Sequence, residues 1–195
     1  MKLYSIVFSP TGGTKKVADC LTSALEGEVT TVDLTDSKQD FDAVSLTQED
    51  VAVISVPSYG GRVPAVAVQR LSRVHGSGAR AVLVCVYGNR AYEDTLVELE
   101  DAAKQAGFLV VAAVAAVAEH SIARQFAAGR PDGKDTAQLS DFAKQIRLKL
   151  SENNLTEPAI PGNRPYKKAS GAGLVPKPTK ECVRCGVCAQ ACPVQ

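Results

Sequence analysis

The sequence predicts an α/β fold, in which a doubly wound, five-stranded parallel sheet is covered by helices on both faces. Patterns typical of strands alternate with amphipathic patterns typical of helices as far as residue 152. Most strand patterns are near-continuous runs of Val, Ile, Leu and Ala, as expected for strands that are buried on both faces. Because crossovers between parallel strands are right-handed, we expect the strand order 2-1-3-4-5.

Five strands and four main helices follow in regular order. The strand patterns cover Leu3–Phe8, Glu28–Leu34, Val51–Val56, Ala79–Val86 and Leu109–Ala118. The predicted helices are Thr14 to about Glu26, Pro64 to Val74, about Ala91 to Ala106, and a last one with the apolar stripe Leu139, Phe142, Ala143, Ile146 and Leu150. The third helix would carry Glu93 and Asp94 in its first turn and Gly107 just past its end. A weaker helical pattern covers Phe41–Leu46.

The composition indicates one full domain with a small appendage. Hydrophobic residues make up 45% of the 195 residues, and the net charge of +1 predicts affinity for neither nucleic acid nor membrane. The longest apolar run, Phe108–Ala118, covers about half of the roughly 20 residues that a membrane-spanning helix needs. The apolar start is too short for a signal peptide, so we expect a cytoplasmic protein without a membrane span.

The turn between the first strand and the first helix is suited to hold a phosphate group. It reads Ser9-Pro10-Thr11-Gly12-Gly13-Thr14, with hydroxyl donors and two glycines before a helix N-terminus. It matches neither the GxxxxGK[ST] nor the GxGxxG pattern. The alternative is an ordinary strand-to-helix turn.

Two further loops join this turn at the carboxyl edge of the predicted sheet. The loops Pro57–Pro64 and Tyr87–Asp94 contain three of the five tyrosines, beside several glycines. Flat aromatic side chains at such a crevice favour a flat aromatic ligand, unless they only cover the sheet edge. His120, in the loop after the fifth strand, is a candidate for ligand contact or simply an exposed residue.

The C-terminal part of the chain differs from the rest. Residues 153–180 hold half of the ten prolines and lack periodicity, which indicates a linker or a strap across the surface. Cys182, Cys185, Cys188 and Cys192 then form a C-x2-C-x2-C-x3-C-P run, the spacing of iron–sulfur ligands. Zinc sites usually have two C-x2-C pairs set well apart, and a disulfide framework is not expected in a cytosolic chain. Cys20 and Cys85 are expected in the core.

The first 152 residues resemble flavodoxins, because Ser9 to Thr14 match the [ST]-x-T-G-x-T pattern of that family. The resemblance implies that FMN is bound, with its phosphate on Ser9, Thr11, Gly12, Gly13 and Thr14. It also implies that two loops surround the flavin ring, through Pro57, Ser58, Tyr59, Gly60, Gly61, Tyr87, Gly88, Asn89, Arg90 and Tyr92. Tyr92 is the first choice for stacking on the ring and Tyr59 the second. Flavodoxins often carry a tryptophan in the strand-three loop, and this chain has none.

The cysteine run resembles the first half of a bacterial two-cluster ferredoxin. In such proteins the fourth cysteine binds the other cluster, and a second motif completes the first. Here that second motif is missing, which leaves three explanations: a fragment of a longer protein, a cluster completed by Cys192, or an empty site. We expect a fragment. Residues 161–195 contain six basic residues and one acidic residue. This positive charge would offset the negative charge of a thiolate-ligated cluster, and it is equally compatible with an acidic docking partner.

As a whole the chain resembles the flavodoxin–ferredoxin fusions called ferrodoxins, found mostly in anaerobes. This implies a flavodoxin-like domain over residues 1–152, a linker over 153–180, and half of a 4Fe-4S motif over 181–195. The implied function is electron transfer with FMN and an iron–sulfur cluster between redox proteins. The alternative is an FMN-dependent reductase of a quinone or another small acceptor. No nucleophile–base pair predicts hydrolysis.

Overall fold

The computed structural model describes residues 2–152, 156–169 and 176–192, and its centre is a five-stranded parallel sheet. The strands are β1 (Leu3–Val7), β2 (Val29–Asp33), β3 (Val51–Pro57), β4 (Arg80–Tyr87) and β5 (Leu109–Val117). Their order is β2-β1-β3-β4-β5, so the predicted fold class and strand order are confirmed. The parallel register brings Val7, Ser55 and Val84 side by side. The sheet therefore has one carboxyl edge, from which the loops after β1, β3 and β4 emerge.

Helices cover both faces of the sheet. They are α1 (Gly13–Leu25), α2 (Ala65–Leu71), α3 (Thr95–Gln105), α4 (Gly133–Ser151) and the short α5 (Val187–Gln190). Residues of α2 and α3 share one buried cluster with alternate residues of the strands, and residues of α1 and α4 share another. In β3, for example, Ile54 faces the first cluster and Val53 the second, and neither is exposed to solvent. This two-sided burial explains the near-continuous apolar runs.

Three helix predictions need correction. The helical pattern at Phe41–Leu46 is wrong: the segment forms turns. The Phe41 and Leu46 side chains are both buried and anchor a loop. The Leu46 N–H of this loop donates to the His75 carbonyl (2.9 Å). The second helix ends at Leu71 rather than Val74, which is buried in the following turn.

The third helix begins at Thr95, four residues later than predicted. Glu93 has a φ of 44°, in the left-handed region, so the chain is not helical at that point. Asp94 occupies the N-cap position, but its side chain makes no capping hydrogen bond. Glu93 and Asp94 thus belong to the loop before the helix, whereas the predicted C-terminal signal is correct, with Gly107 at φ 85°. Among the described helices, none combines the length and hydrophobicity needed to cross a membrane.

Candidate functional site

The loop from Ser9 to Thr14 forms a tight turn onto the N-terminus of α1. Gly12 has a φ of 85°, which favours glycine, and its N–H donates to the Ser9 carbonyl (3.3 Å). The Ser9 hydroxyl oxygen accepts the Lys15 N–H (2.9 Å), and the Ser9 N–H donates to the Thr35 hydroxyl (2.7 Å). These bonds fix the conformation of the loop, and the Ser9 hydroxyl oxygen satisfies one backbone N–H in the first turn of α1.

Donors remain unpaired at the start of α1. Within the part of the chain that the structure describes, the N–H groups of Gly13 and Thr14 donate to no protein atom. Thr14 as a residue is only 4% exposed; its hydroxyl makes no hydrogen bond to those residues, and it keeps some access to solvent, since it is not among their fully buried unpaired atoms. Unpaired N–H groups and a positive helix end favour an anion, and the Thr14 hydroxyl adds a further donor. The loop therefore fits a phosphate group by the chemistry of its donors.

A cleft of about 330 Å³ opens beside this loop. Thr11, Gly13 and Lys16 line one side of it, and the loop of residues 119–131 forms the other, including His120 and Arg130. A Cβ atom on Gly13 would lie 3.6 Å from the Ala118 Cβ, so the two loops approach closely. The sequence placed the loop after β5 near the crevice through His120, and the structure shows in addition that this loop lies against the Ser9–Thr14 turn.

The loop after β3 carries several of the predicted ring contacts. Pro57 is the last residue of β3, and the Ser58 N–H donates to the Val86 carbonyl (2.8 Å). A turn follows in which the N–H groups of Tyr59 and Arg62 each donate to the other's carbonyl (3.0 and 3.2 Å). Gly60 and Gly61 give the turn its positive φ angles, 63° and 85°.

The two tyrosines predicted to stack on a ligand differ in exposure. Tyr59 is 46% exposed. Tyr92 is half-buried against the core and packs edge-on against Tyr87, with ring centroids 5.3 Å apart. Burial raises the pKa of both the Tyr59 and the Tyr92 phenols, so both are neutral at pH 7. Tyr59 therefore offers a ligand more ring surface than Tyr92 does.

The loops after β4 and β5 meet at Gly88. A Cβ atom there would lie within 2.8 Å of three atoms of His120. The Nδ1 atom of His120 accepts the N–H groups of Ile122 (3.2 Å) and Ala123 (3.0 Å), which fixes the ring within its loop. In the same part of the β4 loop, Asn89 has a φ of 66° and Arg90 pairs with Glu93 (3.0 Å). His120 is thus a packing partner of the predicted ring-binding loop.

Charged contacts behind these loops were missed at the sequence level. The Arg62 guanidinium binds both carboxylate oxygens of Glu98 (2.7 Å each), on α3. Glu98 also accepts the Val63 N–H (2.8 Å). The residue types alone carry no signal for this pair, because they lie 36 positions apart.

The four cysteines of the C-terminal run are free thiols. Cys182, Cys185 and Cys188 are exposed, and Cys192 is half-buried. Across residues 2–152, 156–169 and 176–192, no three His, Cys, Asp or Glu side chains are placed together to hold a metal ion. The donors and their spacing suit an iron–sulfur cluster, but the structure does not bring them together around one. Residues 193–195, at the end of the predicted motif, and 153–155 and 170–175, in the predicted linker, lie outside the described residues.

Comparisons with known proteins identify the fold. No family model and no curated protein sequence matches the chain. Among solved structures, it is similar to the two-electron reduced flavodoxin of Megasphaera elsdenii (TM-score 0.53, 16% identity, 73% of this chain and 98% of that one). It is also similar to a flavodoxin of Streptococcus pneumoniae TIGR4 (0.54, 17%, 76% and 99%) and to the apo form of an NADH:FMN oxidoreductase, EmoB (0.52, 14%, 76% and 89%). At these identities the shared property is the fold, so the chain has a flavodoxin-like domain.

Proposed function

We propose that this chain binds FMN at the carboxyl edge of the sheet and transfers electrons between redox partners. The observation that carries the proposal is the turn onto α1, with its unpaired N–H groups and the unpaired, solvent-accessible Thr14 hydroxyl. An anion with several oxygen acceptors would satisfy all of these donors at once. The likeness to flavodoxins supports a phosphate that belongs to FMN.

Each loop would have its own task. Ser9, Thr11, Gly12, Gly13 and Thr14 would hold the phosphate, and the loops after β3 and β4 would hold the ring, with Tyr59 exposed for stacking. Bound FMN would supply redox chemistry with one or two electrons. The protein's part is to anchor the cofactor and to leave one of its edges open to a partner.

The phosphate assignment is tested by replacing two hydroxyls with methyl groups of the same shape. Each hydrogen bond to a charged group contributes about 1.5–3 kcal/mol. Thr11→Val with Thr14→Val removes two such bonds and should therefore weaken FMN binding by about 10²- to 10⁴-fold. Riboflavin, which lacks the phosphate, should lose less than about threefold. Both affinities are measured by the quenching of flavin fluorescence.

A matched control replaces two exposed threonines on the edge strand β2, Thr30→Val with Thr31→Val, which should leave both affinities unchanged. If the phosphate-loop variant loses FMN and riboflavin equally, the phosphate binds elsewhere and the proposal fails.

The cysteine run supports a second redox centre, a 4Fe-4S cluster held by Cys182, Cys185 and Cys188 and completed, in the one explanation that this chain can satisfy by itself, by Cys192. Its support is the spacing and the exposure of the thiols. Anaerobic reconstitution followed by iron and sulfide analysis tests it, with Cys185→Ser as the comparison. About four irons and four sulfides per chain are expected in the native sequence. Bound zinc without sulfide would contradict the cluster.

A second candidate function is the reduction of a quinone or another small acceptor by an FMN-dependent enzyme. The open cleft beside His120 and the similarity to an NADH:FMN oxidoreductase favour it. Sustained turnover of NADH or NADPH with a quinone by the FMN-loaded protein would select this function over electron carriage. A rate equal to that of free FMN would select the carrier.

A further inference from the structure

A C-terminal segment lies along α3 and reaches the loops after β3 and β4. We call residues 156–168 the strap. Near the start of the strap, Glu157 pairs with Lys104 (2.9 Å), and Ile160 packs on the buried cluster that α2 and α3 share. Further along, Arg164 binds Asp101 (2.7 Å), and the Tyr166 hydroxyl donates to the same carboxylate. The strap is thus bound along the length of the helix.

The strap bonds to a buried carboxylate where it reaches the loops. Asp94 is 2% exposed, and one of its oxygens accepts the N–H (2.8 Å) and the side-chain amide (3.0 Å) of Asn163. The other oxygen accepts the Lys167 N–H (2.6 Å). These donors, the Lys167 N–H first, hold the pKa of Asp94 below its ordinary value. Because the carboxylate does not cap α3, the strap supplies the donors that keep it charged while buried.

The residues that bind the strap also join the two loops to each other. The Asp94 N–H donates to the Gly61 carbonyl (3.1 Å). The Glu93 side chain lies against Gly61: a Cβ on Gly61 would come 2.0 Å from the Glu93 Oε2. The Glu93 carboxylate also binds the Lys167 ammonium. From the other loop, Arg62 donates to the Lys167 carbonyl (2.7 Å). A loosened strap would therefore weaken contacts in both loops at once.

A stacked ring completes this junction. The Arg62 guanidinium lies 4.9 Å from the centre of the Tyr166 ring while it binds Glu98. Its planar group is therefore fixed by α3 on one side and by the strap on the other. Arg62 and Tyr59 are joined by two backbone hydrogen bonds across their turn, so a fixed Arg62 also holds the backbone of Tyr59.

We propose that the strap is a positioning element of the flavin site and that Asp94 is its central positioning residue. This inference rests on the proposed function, since the two loops it joins are those assigned to the flavin ring. The phosphate loop makes none of these contacts. Loss of the strap should therefore affect the ring and not the phosphate.

The test uses full-length variants at two places. Asp94→Asn removes a buried charge and one acceptor. Gly162→Ala blocks the strap from outside the loops, because its Cβ would lie 2.3 Å from the Val97 Cγ1 and its φ is 146°. The matched control is Asp101→Asn. Asp101 lies under the strap and contacts neither loop. The new amide oxygen can still accept the Tyr166 hydroxyl, and Arg164 keeps its bond to Glu100.

The first readout is flavin affinity. Asp94→Asn and Gly162→Ala should each weaken FMN and riboflavin by the same factor, about 10- to 100-fold, whereas Asp101→Asn should stay within about threefold. Equal loss of both flavins distinguishes these variants from those of the phosphate loop. Unchanged affinities in both variants would overturn the inference. A loss in Asp101→Asn equal to that in Asp94→Asn would overturn the assignment to Asp94.

The second readout needs no flavin. In the flavin-free protein, amide hydrogen exchange should accelerate at least tenfold in residues 58–62 and 88–93 of Gly162→Ala, and stay unchanged in the phosphate loop, residues 9–14. Unchanged exchange in the first two segments would contradict the inference even if the native chain bound no flavin. Failure of the native chain to bind FMN, with faster loop exchange in the variant, would instead reject the proposed function alone.

Discussion

Gly88 stands where the loop after β4 meets the loop after β5, and one added methyl group tests that contact. A Cβ at this position would lie 2.5 Å from the Cδ2 and 2.8 Å from the Cβ of His120. The φ of Gly88 is not in the left-handed region, so an alanine meets no backbone strain there. Any cost of Gly88→Ala therefore comes from the collision with His120.

The expected cost follows from how firmly His120 is held. Its Nδ1 accepts two backbone N–H groups of its own loop, so the ring cannot turn away without losing them. Overpacking of this kind costs about 1–3 kcal/mol. For a chain of this length that corresponds to a fall of roughly 2–12 °C in the melting temperature.

The assay is urea unfolding of four proteins: the native chain, Gly88→Ala, His120→Gly and the double variant. His120→Gly removes all three atoms that the new methyl would meet. The double variant should be more stable than the sum of the single losses predicts, by about 1–3 kcal/mol. A neutral Gly88→Ala, or losses that add within about 0.5 kcal/mol, would refute the predicted contact.

Three further predictions concern the core, the strap and the thiols. Leu83→Ala, at a fully buried position in β4, should lower the free energy of unfolding by about 2–5 kcal/mol in urea. Arg164 holds the pKa of Asp101 below its ordinary value, so that carboxylate stabilises the fold above the unfolded-state pKa of about 3.9 and loses this effect as the pH falls. The native chain should therefore lose more stability between about pH 6 and pH 3 than Asp101→Asn does; an equal loss would contradict this. Burial raises the pKa of the Cys85 thiol, so iodoacetamide should modify Cys182 in the cluster-free protein long before Cys85, as read by mass spectrometry.

Local patterns predicted the fold class correctly, and they indicated the candidate phosphate-binding turn, which remains a prediction. Strands buried on both faces must be apolar along their whole length, so the runs at Val51–Val56 and Ala79–Val86 could be identified without a structure. The turn from Ser9 to Thr14 was likewise predictable, because its chemistry depends on neighbouring residues and on one helix end. The iron–sulfur motif is local in the same sense and remains a prediction.

Only the tertiary structure decided the contacts between distant segments. Asp94 looked like a helix-initiating residue, but its carboxylate binds Asn163 and Lys167, about 70 positions away along the chain. The segment Phe41–Leu46 has a weak helical pattern, yet Phe41 and Leu46 anchor a loop, because burial against the core outweighs a weak local preference. Long-range pairs of this kind depend on how the folded layers meet, and a sequence pattern carries information mainly about neighbours within one element.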